Sequence, residues 1–253
     1  MSARNNTTAF GPRVYGLGII LIAVLCLAWG DFASQPMPKH FPDRTLLAYV
    51  TGAFLLASGA AVEWRRIAAW GAAALCAYYA LAVLVLMNGR LLLADPGEYG
   101  AYESAAEPLA ISAAALIIFA SFADIDAALS ARLVRAGQIA FGIAAVIFGG
   151  AHFAYLNLTA PLVPKWLPPS QDFWAYATGG AHIAAGLAII SRVQARLAAI
   201  LLTIMYASFT PLVHAPMLFA GHPSHFIWSE NALNILLTGS AWVVADSFAR
   251  ARR

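Results

Sequence analysis

The chain has 253 residues, 61% of them hydrophobic and 11% charged, with a formal net charge of +3 and a mean hydropathy of +0.73. A soluble domain carries roughly 25% charged residues, so 15 basic and 12 acidic side chains are too few to cover a water-facing surface. The composition specifies an all-α integral membrane protein with the lipid bilayer as its partner, and it excludes a soluble enzyme, a nucleic-acid binder and a secreted disulfide scaffold.

A helix needs about 20 apolar residues to cross roughly 30 Å of hydrocarbon. In chain order, eight stretches qualify: 14–33, 46–63, 67–87, 108–124, 136–156, 172–190, 196–214 and 230–248. They are continuous Ala/Leu/Ile-rich runs, without the ten-residue alternation of a membrane β-barrel. The first is too long for a signal-peptide core and has no small-x-small cleavage site before Asp31, so it reads as a retained helix. Cys26 and Cys76 sit singly inside apolar runs, and no Cys-x-x-Cys occurs, which disfavours dithiol chemistry.

Orientation follows from the arginines. The N-terminus, the C-terminus and the loops after the second, fourth and sixth spans hold Arg4, Arg13, Arg65, Arg66, Arg132, Arg135, Arg192, Arg196, Arg250, Arg252 and Arg253. The opposite side holds only Lys39, Arg44, Arg90 and Lys165. Both termini are therefore expected in the cytoplasm of a bacterial-type inner membrane.

The two halves repeat at a shift of 126–127 residues. Pro38-Lys39-x-x-Pro42 matches Pro164-Lys165-x-x-Pro168, and Ala48-Tyr49-x-Thr51-Gly52 matches Ala175-Tyr176-x-Thr178-Gly179. Gly59 matches Gly186, Tyr79-Ala80 matches Tyr206-Ala207, and Ser121-Phe122-Ala123 matches Ser247-Phe248-Ala249. Residues 1–125 and 126–253 are thus expected to form two four-helix bundles. An even number of helices per copy makes the copies parallel, related by an axis along the membrane normal.

Several motifs carry a family resemblance. Gly149-Gly150-Ala151-His152 is followed by the Pro164–Pro168 loop, by Thr178-Gly179-Gly180-Ala181-His182 with Gly186, and by Glu230-Asn231-Ala232-Leu233. Over residues 136–248 this order resembles the DoxX-like family of four-helix membrane proteins, here as a tandem duplication. The first half matches through its loop and glycines only. Where the family often carries a glutamate, this chain has His182. The resemblance implies the fold and an association with quinone-linked or other membrane redox complexes, hence with further redox subunits.

Polar residues gather in the second half. Of His40, His152, His182, His214, His222 and His225, five lie there. At 1.5 Å per residue, His152 is expected roughly 9 Å and His182 roughly 15 Å below the outer surface. His152 and Tyr155, Thr178 and His182, the series Thr203, Tyr206, Thr210 and His214, and the series Glu230, Asn231, Asn234 and Thr238 all fall at helical spacing. Polar groups facing lipid cost several kcal/mol each, so these stripes are expected to converge inside the bundle. The first half, with Asp31, Tyr49, Tyr79 and Glu107, reads as a degenerate scaffold.

The expected site is an outward-facing pocket in the second half, formed by His152, His182, Tyr206, His214, Asn231 and Asn234. Tyr and His side chains hydrogen-bond quinone oxygens and move protons, which favours a quinone-linked subunit. Imidazole also suits metal or haem, but no His-x-x-x-His pair occurs and the two embedded histidines are expected at different depths. A parallel repeat suits a small-solute transporter, although no helix is visibly interrupted in both halves. Inter-helix glue of a structural subunit accounts for any single Thr or Asn. The sequence leaves open whether the protein is an enzyme.

Overall fold

A computed structural model describes residues 10–250, with the side chain of Arg250 excepted, so Arg4, Arg252 and Arg253 of the orientation argument lie outside the described residues. Eight helices are long and apolar enough to span a membrane: α1 Phe10–Trp29, α2 Arg44–Glu63, α3 Ala68–Ala94, α4 Tyr99–Phe122, α5 Ala127–Ala154, α6 Gln171–Ser191, α7 Ala195–Phe219 and α8 His225–Arg250. Among the described residues there is no strand. The chain is an all-α polytopic membrane protein.

Local chemistry moves several boundaries from their expected places. α1 stops at Trp29, four residues early, where Gly30 takes a left-handed φ of 60°. α4 begins at Tyr99 rather than at Pro108, and the helix runs on through that proline. The Glu98 side chain accepts from the Gly100 amide at its start. α5 begins at Ala127 rather than 136, because the Asp126 carboxylate accepts from the amides of Ala128 and Leu129 at 2.9 and 3.1 Å. That is an N-cap strong enough to draw the polar first turns into the helix.

The eight helices form a ring in which each packs on its chain neighbours and α1 closes against α8, while α4 and α8 meet across the middle. Shifting each contact by four helices returns another contact: α1–α2 becomes α5–α6, and α4–α5 becomes α8–α1. The close approaches keep the same register. A Cβ on Gly52 would meet Leu27 Cγ at 2.9 Å and Cys26 Cβ at 3.1 Å, and one on Gly179 would meet Phe153 Cε2 at 2.9 Å and His152 Cβ at 2.8 Å. These partners stand 126 residues apart. α4 and α8 are the most enclosed helices and α7 the least. One core spans both halves, joining Tyr15, Ile19 and Leu55 to Phe141, Leu202 and Leu236. The turn at Ala123–Asp126 therefore divides the chain without dividing the packing.

Candidate functional site

Thr178 on α6 organises the histidines. A backbone carbonyl can only accept, so the 2.8 Å contact from His182 Nδ1 to the Thr178 oxygen fixes the proton on Nδ1. The single Thr178 hydroxyl proton has the Trp174 carbonyl at 2.7 Å, with that of Ala175 at 3.0 Å. Its oxygen is then left to accept from His152 Nδ1 at 3.3 Å. Both imidazoles thereby carry their proton on Nδ1, which in the neutral ring leaves Nε2 as the acceptor. The rings stack, centroids 5.3 Å apart and planes 30° apart. His182 is buried at 2% exposure, and His152 is half-buried two residues before the end of α5.

Tyr206 of α7 also packs against His182, ring centroids 5.3 Å apart, and Phe148 packs edge-on to it at 6.3 Å. Tyr206 is 3% exposed and its hydroxyl is buried without a hydrogen-bond partner. A buried orphan donor costs about 1–3 kcal/mol, so it marks a place where stability is not what the residue serves. His152, His182 and Tyr206 are thus the part of the expected set that the fold brings together as side chains.

The other three expected residues stand one step away. Asn231 donates to the His214 and Ile227 carbonyls, each at 3.0 Å. Asn234 donates to the Tyr206 carbonyl at 3.1 Å and to Thr210 Oγ1 at 2.8 Å. The reason lies in α7, which is π-helical over Thr210–His214. Pro211 has no N–H to give a carbonyl of the preceding turn, and Asn234 ties that stretch of α7 to α8 through the Tyr206 carbonyl and Thr210. Both amide protons of each asparagine are committed to α7 or α8, and their Oδ1 atoms remain as acceptors. His214 meets Asn231 through its carbonyl, while its own Nδ1 is buried and unpartnered.

Helix α3 carries a π-helical stretch as well, Tyr78–Asn88, which covers the positions aligned with Thr210–His214 at the 127-residue sequence shift. There the Asn88 amide donates to the Val83 carbonyl at 2.9 Å, and Ser104 Oγ donates to Asn88 Oδ1 at 2.7 Å. Both halves therefore contain an interrupted α-helix, which the sequence did not display because the α3 stretch holds neither Gly nor Pro. At the 126–127-residue shift read from the sequence, Cys26, Thr51, Leu55 and Tyr79 align with His152, Thr178, His182 and Tyr206. Sequence reasoning also passed over Gln35, whose Oε1 accepts from Tyr78 Oη at 3.1 Å while its Nε2 is buried and unpartnered.

Tyr155 leaves the stripe it shared with His152. It follows the end of α5 with a φ of −123°, and its hydroxyl donates to the Glu98 carboxylate and accepts from the Gly100 amide. The hydrogen bond from Tyr155 holds the Glu98 carboxyl below its ordinary value, and the Gly100 amide adds to the effect. His225 begins α8 and stacks on Trp29 of α1 at 5.1 Å, while His40 is exposed. Among the described residues no group of three or more His, Cys, Asp or Glu side chains is placed to hold a metal ion. One cavity lies beside Phe153, Asn157 and Gln171 and another beside Arg192 and Arg196, and neither is lined by a histidine.

Residues 141–245 are similar to a family described as a domain of unknown function, DUF8561. That stretch contains all six expected site residues. No curated protein and no solved structure matches the chain.

Proposed function

We propose that the protein is a redox-associated inner-membrane subunit whose second half binds a quinone headgroup at the His152–His182–Tyr206 cluster. The observation that carries this reading is the orphan Tyr206 hydroxyl beside an imidazole whose Nε2 is left as an acceptor. The donor set fits. An oxidised quinone offers only carbonyl acceptors, which suit the Tyr206 O–H, and a quinol offers hydroxyl donors, which suit the Nε2 atoms of His182 and His152. When bound, a quinone supplies two-electron, two-proton chemistry. The chain's own residues orient the ring and carry the protons: His182 Nε2 takes a proton, and its Nδ1–H bond to the Thr178 carbonyl holds the ring in place. Electrons come from a partner redox subunit.

The DoxX-like resemblance and an origin by duplication belong to the same proposal. The matched registers at Gly52 and Gly179 support duplication, and the first half, with Cys26 and Leu55 in place of the two histidines, serves as scaffold. The arginine distribution supports cytoplasmic termini, and with that orientation the cluster lies in the outer half of the bundle. A second reading, a transporter for a small solute, is favoured by π-helical stretches at corresponding places in α3 and α7, since interrupted helices at repeat-related positions mark transporter binding sites.

The test is extraction of lipids from protein purified in mild detergent, with an absorption spectrum and metal analysis on the same sample. Co-purified quinone in the wild type, lost in His182→Ala, supports the proposal. A Soret band or stoichiometric metal without quinone overturns it.

A further inference from the structure

At the arginine-rich end of the bundle, the tight turn from α6 to α7 opens a cavity of about 630 Å³. Arg192 and Arg196 line it from the turn and the first residues of α7, Gln138 from α5, and Phe248 from α8. Its lining contains no carboxylate. Arg192 and Arg196 are exposed and have no salt-bridge partner among the described residues. Arg135 stands close enough to Arg192 to interact with it electrostatically, and directs its own donors to the carbonyls of Ile189 and Ile190 at the end of α6. Three cations therefore gather without a salt-bridge partner among the described residues.

The cavity has an apolar side. Leu197 and Ile200 line it, and the same face of α7 continues toward the bilayer midplane as exposed Leu201 and Ile204. Gln138 is 3% exposed and its Nε2 donates to Ser247 Oγ at 2.9 Å. Its amide keeps a carbonyl oxygen, an acceptor, and its second N–H.

We infer that this cavity is a binding site for an anionic glycerophospholipid, with the phosphodiester between Arg192 and Arg196 and an acyl chain along Leu197, Ile200 and Ile204 of α7. Guanidinium groups recognise phosphate through paired N–H donors, and basic pockets between membrane helices on the cytoplasmic side hold lipid headgroups. A hydroxyl-bearing headgroup such as glycerol gives the Gln138 carbonyl its donor. The apolar track distinguishes a lipid from free phosphate, which has no use for Leu197 or Ile200. The site is remote from the histidine cluster and does not depend on what that cluster binds.

The full-length protein in detergent is mixed separately with phosphatidylglycerol, phosphatidylcholine and inorganic phosphate, and bound lipid is counted by native mass spectrometry alongside the melting temperature. Phosphatidylglycerol is expected to bind and raise the melting temperature, with Arg192→Gln/Arg196→Gln weakening it about tenfold or more. The control Arg66→Gln/Arg132→Gln, at the same end but outside the cavity, is expected to bind like the wild type. Equal binding of phosphatidylcholine, an equal shift from inorganic phosphate alone, or equal weakening in the control each overturns the site. Retained binding in the Arg192→Gln/Arg196→Gln variant, whose fold is read from its melting temperature without lipid, does the same.

Discussion

His152 and His182 come from two helices, yet one residue, Thr178, holds both: its hydroxyl oxygen faces one Nδ1 and its carbonyl faces the other, and the rings stack at 5.3 Å. Inter-helix glue needs only one such bond. Two imidazoles each donating through Nδ1, with a partnerless Tyr206 hydroxyl against one of them, leave two Nε2 atoms and a donor that the fold itself does not use.

The site depends on how closely α5 and α6 approach. A Cβ on Gly149 would lie 2.6 Å from the Gly179 carbonyl oxygen and 2.9 Å from the Ile183 amide, both backbone. Gly149→Ala should force the helices apart and destabilise by about 1–3 kcal/mol, read as a lower melting temperature. Gly180→Ala, with nothing within 4 Å of its Cβ, should be neutral or stabilising by up to about 1 kcal/mol. Equal effects of the two variants would contradict the packing described.

Asn234 ties α8 to α7 at the start of its π-helical stretch. Asn234→Ala leaves the Tyr206 carbonyl without its donor and should cost about 0.6–1.7 kcal/mol, the range for such bonds in membrane helices. Asn234→Asp, which lacks the amide protons, should not restore the loss. A melting temperature unchanged in both variants counts against this role.

The eight spans were legible because continuous apolar runs leave little choice of structure. The i, i+4 spacing of Thr178 and His182 put them on one face of α6, and burial did the rest. Boundaries were less legible. Glu103 and Glu107 made the start of α4 look like loop, although electrostatic contact with Glu230 of α8 shows they lie among the packed helices. The π-helical stretch of α3 depends on tertiary bonds at Asn88 and Ser104, and no local residue announces it. The pairing of Tyr155 with Glu98, across the two halves, had no sequence signal at all.

That pairing gives a pH dependence. Its folded state holds Glu98 below the ordinary 4.5, so the folded protein binds fewer protons than the unfolded one in that window. The stabilisation is full above about pH 4.5 and is lost as pH falls through the lowered value. Because Glu98 is at the surface, the effect is small. Melting temperature followed from pH 6 to pH 3 should fall more in the wild type than in Glu98→Gln, and Tyr155→Phe should fall between them, since the Gly100 amide still donates to Glu98. Parallel curves for all three would remove the pair from the account.

Orientation is open to direct measurement. Reporter fusions after Arg66, Arg135 and Arg196 should all report cytoplasm, as the arginine distribution requires. A periplasmic signal at any of the three would invert the placement of the histidine cluster and of the basic cavity together.

The proposal for the histidine cluster turns on Tyr206, because Tyr206→Phe deletes a hydroxyl that has no partner in the fold. The measurement is titration of the reconstituted protein with a short-chain quinone, read as binding affinity, with the melting temperature taken on the same samples. The account predicts that the wild type binds, and that Tyr206→Phe keeps or raises the melting temperature while losing about tenfold or more in affinity, the worth of one buried hydrogen bond. Unchanged quinone affinity in Tyr206→Phe, or no binding by the wild type, would contradict it.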